Sequence, residues 1–244
     1  MLPHVDDRRI FVSYAAPGVA APLVVDLHAV NLHAAQEKLV SGMDAIARAE
    51  GWHAIWPEGF RGSWNAGPHL YDPAAAAHIN HTAEILAHIQ WAAARVPVTR
   101  VFVTGISNGC AEAHRFAFEA SDRVDGVVCV AHSASPGIAN GSRPVPALII
   151  TGALDEAHAS DEQMRVTMAK WSTTNRCHPD EHEHEHVVNV SHHTYTVTDW
   201  LGCAAALRHV RFRPPYGHYR IVDNLLPPEL SVAAMAREFW RPLT

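Results

Sequence analysis

Short runs of almost uninterrupted apolar residues are the feature that most constrains the fold of this chain. Four such runs are PLVVDLHA (22–29), RVFVTGIS (100–107), GVVCVAHS (126–133) and PALIITGALD (146–155). Each is too short to span a membrane as a helix, and each lacks the polar alternation of a strand with one solvated face. Segments with helical spacing of apolar residues separate these runs. The pattern therefore predicts an α/β fold, with a mostly parallel central sheet and helices on both faces.

Other segments are placed around this core by their periodicity and end signals. Residues 8–16 alternate and predict an edge strand, and residues 52–59 and 207–214 predict two further strands. One predicted helix ends at Gly51, and another begins with Asp72 as N-cap and runs to about residue 93. The apolar faces of the first and the last predicted helix are Leu39, Met43, Ile46 and Ala47, and Val232, Met235, Ala236, Phe239 and Trp240. No repeat or linker interrupts the chain, so residues 1–244 are expected to form a single domain.

Composition excludes several classes of protein. The net charge is −6 and no basic run appears, so we expect no nucleic-acid partner. No apolar stretch reaches the roughly 20 residues that a membrane helix needs, so we expect no membrane partner. The opening MLPHVDDRRI lacks the apolar segment of a signal peptide, which leaves a cytoplasmic location open.

The segment Gly105-Ile106-Ser107-Asn108-Gly109 is a G-x-S-x-G motif between a predicted strand and a predicted helix. A sharp strand-to-helix turn forces the central serine into a strained backbone conformation, which only small neighbours tolerate. The serine hydroxyl then projects above the sheet at the positive end of a helix, where an oxyanion is stabilised. This context predicts that Ser107 is a nucleophile.

A serine hydroxyl needs a base, and the base needs an acid that orients it. In α/β-hydrolases these groups follow in the chain order serine, acid, histidine. Asp155 comes at the end of PALIITGALD, and His218 follows the last predicted strand, so they are the predicted acid and base. The alternatives are His209 as base, and Asp161 or Glu156 as acid.

The oxyanion of such a reaction needs two backbone N–H donors. One donor is normally the residue after the nucleophile, here Asn108, and the other lies in the loop that follows an earlier strand. That loop is Leu27-His28-Ala29-Val30-Asn31. We predict Val30 as the second donor, with Ala29 as the alternative.

Together these motifs resemble the polyhydroxybutyrate depolymerase and feruloyl esterase family of α/β-hydrolases over nearly the whole chain. The most specific match is RVFVTGISNG, and PLVVDLHA, WPEGFRGSWNAG, TGALDE and YGHY are similar to further family segments. The chain departs from the family at Ala29, where relatives have glycine, at Thr151, where they have histidine, and at Tyr219-Arg220, where they have Thr-Trp. The resemblance implies a secreted esterase of the α/β-hydrolase fold with Ser107, Asp155 and His218 as its triad.

The resemblance also implies features around the triad. The loop Ser63-Trp64-Asn65 is expected to border a shallow cleft, and the predicted substrate-binding residues are His28, Ala29, Trp64, Asn65 and Tyr219. Family members have a cysteine pair in this part of the chain, which implies a disulfide between Cys177 and Cys203. Cys110 and Cys129 lie in a helical and a strand segment, where a cysteine usually behaves as a small free hydrophobe.

The histidine-rich segment 178–193 invites a metal interpretation. In a strand, alternate histidines share a face at a spacing of roughly 6.5 to 7 Å, which is awkward for one small ion. A solvated loop or an edge strand with alternating charge explains the segment, so we predict no metal and no cofactor.

The predicted activity is hydrolysis of a small or polymeric carboxylic ester through an acyl-enzyme. A thioesterase, lactonase or acyltransferase is the alternative within the fold, and a silent binding protein on the same scaffold is the alternative outside enzymes. The acyl and alcohol groups and the oligomeric state stay undetermined.

Overall fold

The computed structural model of the protein describes residues 5–6, 10–16, 18–67, 72–178, 184–190, 192–222 and 226–244. The strands in these ranges are β1 (Ile10–Ser13), β2 (Ala21–Leu27), β3 (His53–Pro57), β4 (Val98–Ile106), β5 (Gly126–Val130), β6 (Ala147–Gly152), β7 (His184–Val190), β8 (His193–Trp200) and β9 (Leu207–Phe212). The helices are α1 (Ala34–Val40), α2 (Met43–Glu50), α3 (Pro73–Ala76), α4 (His81–Ala93), α5 (Asn108–Glu119), α6 (Asp161–Thr174), α7 (His218–Val222) and α8 (Val232–Trp240).

The strands form one sheet in the order β1-β3-β2-β4-β5-β6-β9-β8-β7. The six strands from β3 to β9 in this order are parallel. Strand β1 pairs antiparallel at one edge, and the β7–β8 hairpin pairs antiparallel at the other. The predicted α/β class with a mostly parallel sheet is confirmed. Because all parallel strands run the same way, their carboxyl ends, which precede Ser107 and Asp155, meet at one edge.

Two apolar clusters hold helices against the two faces of the sheet. Successive residues of a strand point to opposite faces, so Leu23 and Val25 lie in one cluster while Val24 lies in the other. Helices α4, α5 and α6 contribute to the first cluster, and α1, α2, α7 and α8 contribute to the second. Strands buried in this way on both faces explain why their sequences show no polar alternation.

The helix predicted to end at Gly51 is in fact two helices. Gly42 has a φ of 76°, a conformation that ends α1 and directs α2 along a new axis. Leu39 was placed on the buried face by an unbroken helical period, but its side chain is 83% exposed. The C-terminal end at Gly51 is as predicted, with a φ of 69°.

The helix predicted to begin at Asp72 is also divided. Helix α3 ends after one turn, and α4 begins after Asn80, whose side chain accepts a hydrogen bond from the backbone N–H of Ala83 at 3.0 Å. His78 has a φ of 52° in the connection, which breaks the helical path between the two.

The histidine-rich segment contributes β7 to the edge of the sheet, which agrees with the edge-strand interpretation. His182 and its acidic neighbours at 181 and 183 lie outside the described residues. Across the described ranges, no helix has the length and apolar character that crossing a bilayer requires.

Candidate active site

The turn from β4 to α5 holds Ser107 in a strained conformation. Ser107 has φ 54° and ψ −121°, and its backbone N–H donates to the carbonyl of Val130 at 2.8 Å. A Cβ on Gly105 would lie 2.4 Å from the carbonyl oxygen of Gly109, and a Cβ on Gly109 would lie 2.1 Å from that of Leu27. Both glycines are therefore required by the close packing of the turn, which explains the spacing of the motif.

The structure brings Ser107, His218 and Asp155 together across 111 residues of sequence. The Oγ atom of Ser107 lies 3.0 Å from Nε2 of His218, and Nδ1 of His218 lies 2.7 Å from Oδ2 of Asp155. Ser107 is at the tip of β4, Asp155 is three residues beyond β6, and His218 begins α7. These loops meet because the carboxyl ends of the parallel strands share one edge of the sheet.

The environment of the Asp155 carboxylate defines the protonation of the imidazole. The carboxylate is almost fully buried, and a carboxylate can only accept hydrogen bonds, so the contact at 2.7 Å assigns the proton to Nδ1 of His218, which donates to Oδ2. Nε2 is then the unprotonated atom and accepts the hydrogen bond from the Ser107 hydroxyl. The other carboxylate oxygen, Oδ1, accepts the backbone N–H of His158 at 3.2 Å.

The loop after β2 contains the two candidate oxyanion donors. Ala29 has a negative φ, and the positive value of 62° falls on Asn31, a residue type that tolerates it. The N–H of Asn31 donates to the carbonyl of Gly62 at 2.8 Å, and the N–H of Leu32 donates to that of Ala29 at 3.1 Å. Among the described hydrogen bonds none uses the N–H of Val30, so its role as second donor stays a prediction.

The side chain of Asn108 holds the loop that contains Trp64 against the turn from β4 to α5, which is called the elbow below. Its Oδ1 accepts the backbone N–H of Trp64 at 2.7 Å, and its Nδ2 donates to Oδ2 of Asp72 at 2.9 Å. Asp72 is the N-cap residue of α3, as predicted, but its side chain makes no capping hydrogen bond and contacts Asn108 instead. Partial burial raises the pKa of the Asp72 carboxyl above its ordinary value.

Several predicted substrate contacts prove to be parts of the core. Trp64 and His28 have no exposed surface, and the indole N–H of Trp64 donates to the His28 carbonyl at 2.9 Å. His28 donates from Nδ1 to the Ala29 carbonyl and accepts the N–H of Gly59 at Nε2, so both ring nitrogens are used. Burial lowers the pKa of His28 and favours this neutral form.

Asn65 is likewise engaged with the protein, while Tyr219 is open to solvent. The side-chain amide of Asn65 donates to the carbonyl of Ile79 at 2.8 Å. In the loop Ser63-Trp64-Asn65 the first two side chains are buried and Asn65 is partly buried, so Asn65 is the residue of this loop that stays a candidate for the cleft border. Tyr219 is 77% exposed, and its ring makes an edge contact with that of His218 at 5.6 Å between centroids.

The alternative acid and base residues lie apart from Ser107. His209 is buried within β9, and its Nε2 is hydrogen-bonded to Oγ1 of Thr151 at 2.7 Å. Burial lowers the pKa of His209 to about 4. Asp161 pairs with Arg211, and Glu156 is an exposed residue. Asp155 and His218 are the acid and histidine that the structure places in line with the serine.

Two histidines beside His218 were not identified from the sequence. The rings of His158 and His218 have centroids 4.4 Å apart, and the ring of His132 lies 5.2 Å from that of His158. Burial lowers the pKa of both His158 and His132, the latter to about 4, so both rings are neutral at pH 7. With 19 histidines in the chain, only the position of His158 three residues after the predicted acid could have indicated its place.

The structure joins all four cysteines in two disulfides. Cys177 pairs with Cys203, as the family resemblance implied. Cys110 and Cys129, expected as free thiols, also pair, so that expectation is wrong. Gly105 is in register with Cys129 in the sheet, and the elbow therefore places the first turn of α5, with Cys110, directly over β5. His114 lies beside this second pair, but disulfide sulfurs are not available as metal ligands.

Comparison with known proteins gives one curated relative and several solved structures. No family model matches the chain. The chain is 30% identical over 162 residues to the protein named "Putative esterase NocK" of Nocardia uniformis subsp. tsuyamanensis. That match covers 63% of this chain and 47% of NocK, so the chain spans about half the length of the relative it matches.

Several solved structures share the overall fold of this chain. An acetyl xylan esterase from Aspergillus awamori has a TM-score of 0.67 at 15% identity, covering 86% of this chain and 88% of its own. The Bacillus cereus carboxylesterase has a TM-score of 0.61 at 13% identity, covering 96% and 94%. A phospholipase/carboxylesterase from Dyadobacter fermentans DSM 18053 has a TM-score of 0.53 at 17% identity, covering 68% and 82%. On this likeness, and on its own topology, the chain has the α/β-hydrolase fold.

Proposed function

We propose that the chain is a serine hydrolase that cleaves carboxylic esters through an acyl-enzyme intermediate. The observation that carries the proposal is the continuous line of hydrogen bonds from Ser107 through His218 to Asp155, at 3.0 and 2.7 Å. A strained serine at the start of a helix, an imidazole facing its hydroxyl and a buried carboxylate behind the imidazole are the parts that nucleophilic acyl transfer needs.

In the first half of the proposed reaction, Asp155 holds His218 with its proton on Nδ1. Nε2 of His218 takes the proton of the Ser107 hydroxyl while Oγ attacks the ester carbonyl carbon. The carbonyl oxygen becomes an oxyanion and accepts hydrogen bonds from the N–H groups of Asn108 and Val30. The N-terminus of α5 adds its positive partial charge at the same place.

In the second half, His218 returns the proton to the leaving alcohol oxygen, and the ester C–O bond breaks. The acyl group stays on Oγ of Ser107, and the neutral alcohol departs. A water molecule then gives a proton to Nε2 and attacks the acyl carbon, which forms a second oxyanion at the same N–H donors. As this intermediate breaks down, the bond to Oγ breaks, His218 returns the proton to Oγ, and the acid is released. No cofactor takes part in these steps.

Two likenesses support the ester substrate. The relative NocK is named an esterase and aligns with this chain at 30% identity. The motifs RVFVTGISNG and YGHY resemble those of polyhydroxybutyrate depolymerases and feruloyl esterases. A panel of cinnamoyl and 3-hydroxyalkanoate esters tests this finer assignment, since a member of that family should prefer one of the two over simple alkanoates.

The reactivity of Ser107 is the direct test of the proposal. Wild-type protein should react with a fluorophosphonate probe and hydrolyse p-nitrophenyl acetate, and Ser107→Ala should lose roughly four to six orders of magnitude in kcat. His218→Ala should be about as severe, and the double variant no worse, because the two residues act as one unit. The exposed Ser142 provides the matched control, and Ser142→Ala should keep full activity.

Two results would contradict the proposal. A chain that folds but neither labels nor turns over would be a binding protein on a hydrolase scaffold. A Ser107→Ala variant with activity within tenfold of wild type would place the nucleophile elsewhere.

A further inference from the structure

A cavity of about 480 Å³ lies beside the candidate triad and is not used by the proposed steps. One wall is the loop that follows β5, from His132 to Pro136, and the other is the loop and first turns of α6, from Ala157 to Val166. Ala111 of α5 also lines it. A cavity of this size falls in the range of about 300 to 1,000 Å³ that small-molecule sites occupy.

The cavity and the triad share His158 as a common wall. The ring of His158 lines the cavity and contacts that of His218 at 4.4 Å between centroids. Ala111 is one helical turn beyond Ser107, to whose carbonyl it donates its N–H at 3.0 Å. A substrate group in the cavity therefore lies on the histidine side of the nucleophile, away from the loop that contains Val30.

The direction of proton transfer decides which half of an ester lies on that side. His218 must deliver its proton to the leaving oxygen, so the alcohol half passes next to the imidazole ring. The oxyanion faces the opposite loop. We propose that the cavity beside His158 receives the alcohol half of the substrate, an inference that rests on the proposed ester hydrolysis by Ser107.

The lining indicates the chemistry of that alcohol. The exposed wall of the cavity is mostly apolar, and Ala111, Ala134, Pro136, Ala157 and Val166 belong to it. Its neutral polar groups include the hydroxyls of Ser133 and Ser135 and the amide of Gln163. The histidines that line it are neutral, because burial lowers their pKa values. A dry apolar cavity of about 150 Å³ holds one benzene ring, so this larger space holds a ring system of one or two aromatic rings.

The charges at the cavity exclude an anionic alcohol group. Glu162 is the one lining residue, among those described, whose side chain is charged at neutral pH, and it pairs with Arg165 at the surface. No lining lysine or arginine is present in the described cavity wall to bind a carboxylate or phosphate. The substrate class is therefore an ester of a neutral alcohol that carries an aromatic or similarly bulky apolar group.

Two matched ester series test this assignment in the wild-type protein. The first keeps the acetyl group and varies the alcohol through methyl, benzyl and 2-naphthylmethyl. The second keeps the methyl alcohol and varies the acid through acetyl, phenylacetyl and 2-naphthylacetyl. The kcat/KM should rise by roughly tenfold or more from methyl to benzyl acetate, since burying the ring removes apolar surface from water, and much less along the acid series. The ester 4-carboxybenzyl acetate should be a poorer substrate than benzyl acetate.

Filling the cavity with a large side chain should remove the preference for bulky alcohol groups and leave the hydrolysis of small esters intact. Val166→Trp places a large ring in the cavity and should lower kcat/KM for 2-naphthylmethyl acetate by about tenfold or more, leaving methyl acetate within about twofold. Ala169 is exposed on the same helix outside this cavity, so Ala169→Trp is the control and should change neither substrate. If Val166→Trp fails to fold by circular dichroism, Ala157→Leu in the exposed loop takes its place.

The outcomes separate this inference from the proposed function. If the wild-type protein neither reacts with fluorophosphonate nor hydrolyses methyl acetate, both proposals are overturned. A labelled, active protein whose rate is indifferent to the alcohol, or rises along the acid series, keeps the esterase and overturns the alcohol assignment. The same holds if Val166→Trp reduces methyl and naphthylmethyl acetate equally.

Discussion

Replacing Asp155 by asparagine tests the role of this residue without changing its size. The geometry decides which way the new amide turns. At present Oδ1 accepts the backbone N–H of His158 at 3.2 Å, and Oδ2 accepts Nδ1–H of His218 at 2.7 Å. An amide NH₂ facing the His158 N–H would put two donors together in a buried site, so the asparagine carbonyl turns to that N–H.

The amide NH₂ then faces His218 and donates to Nδ1, which transfers the imidazole proton to Nε2. In that tautomer Nε2 donates and cannot take the proton of the Ser107 hydroxyl. We expect Asp155→Asn to lower kcat by about four orders of magnitude, the size associated with a triad histidine held in the wrong tautomer. That loss corresponds to about 5 kcal/mol of transition-state stabilisation.

The assay is steady-state hydrolysis of p-nitrophenyl acetate, with the rate of fluorophosphonate labelling as a second measure. Labelling should slow in parallel, because it needs the same proton transfer. Asp161→Asn is the matched control, since Asp161 pairs with Arg211 away from the serine, and it should keep wild-type activity. The reasoning is refuted if folded Asp155→Asn retains kcat within tenfold of wild type, or if Asp161→Asn is the inactive variant.

Three further predictions concern the backbone, a buried acid and the disulfides. Ala29→Gly should lower the free energy of unfolding by roughly 0.4 to 1 kcal/mol with kcat flat or lower, because Ala29 has a negative φ and glycine adds only unfolded-state entropy; a gain in kcat would contradict this. Burial raises the pKa of Asp26 to about 7, so the folded state holds a proton that the unfolded state releases near pH 4, and stability falls as the pH rises through 7. We therefore compare the free energy of unfolding of Asp26→Asn with that of the wild type by urea unfolding. The difference, variant minus wild type, should increase by up to about 4 kcal/mol between pH 4 and pH 8. An equal difference at both pH values would refute the prediction. Thiol titration of the unfolded, unreduced protein should find no free thiol, and four free thiols would show that neither disulfide forms. Cys177→Ser should lower the free energy of unfolding by about 3 kcal/mol, because the pair with Cys203 closes a loop with a sequence separation of 26.

The parts of the fold that the sequence could predict are those with local causes. Apolar runs buried on both faces predict parallel strands wherever they occur, and the elbow follows from two glycines whose positions admit no side chain. Asp155 and His218 were predicted because each follows a strand whose end is visible in the pattern. The break at Gly42 was missed because an apolar helical period continues through it.

Other features depend on how loops that are distant in the sequence pack together, and a local sequence pattern does not predict such contacts. Trp64 occupies a polar segment, yet the structure buries it because Asn108 and His28 hold its backbone and indole N–H groups. The positive φ in the loop after β2 falls on Asn31, whose N–H donates to the carbonyl of Gly62, a residue far away in the sequence.

The composition of the site beyond the triad was decided in the same way. Nineteen histidines are equivalent in sequence, and only the tertiary structure places His158 against His218 and leaves a cavity behind it. The pairing of Cys110 with Cys129 likewise arises because the first turn of α5 lies directly over β5. The sequence alone indicated the parallel strands and the three aligned residues, since strand ends and turns are local. Strand β8 and the surroundings of the serine emerged only in the tertiary structure.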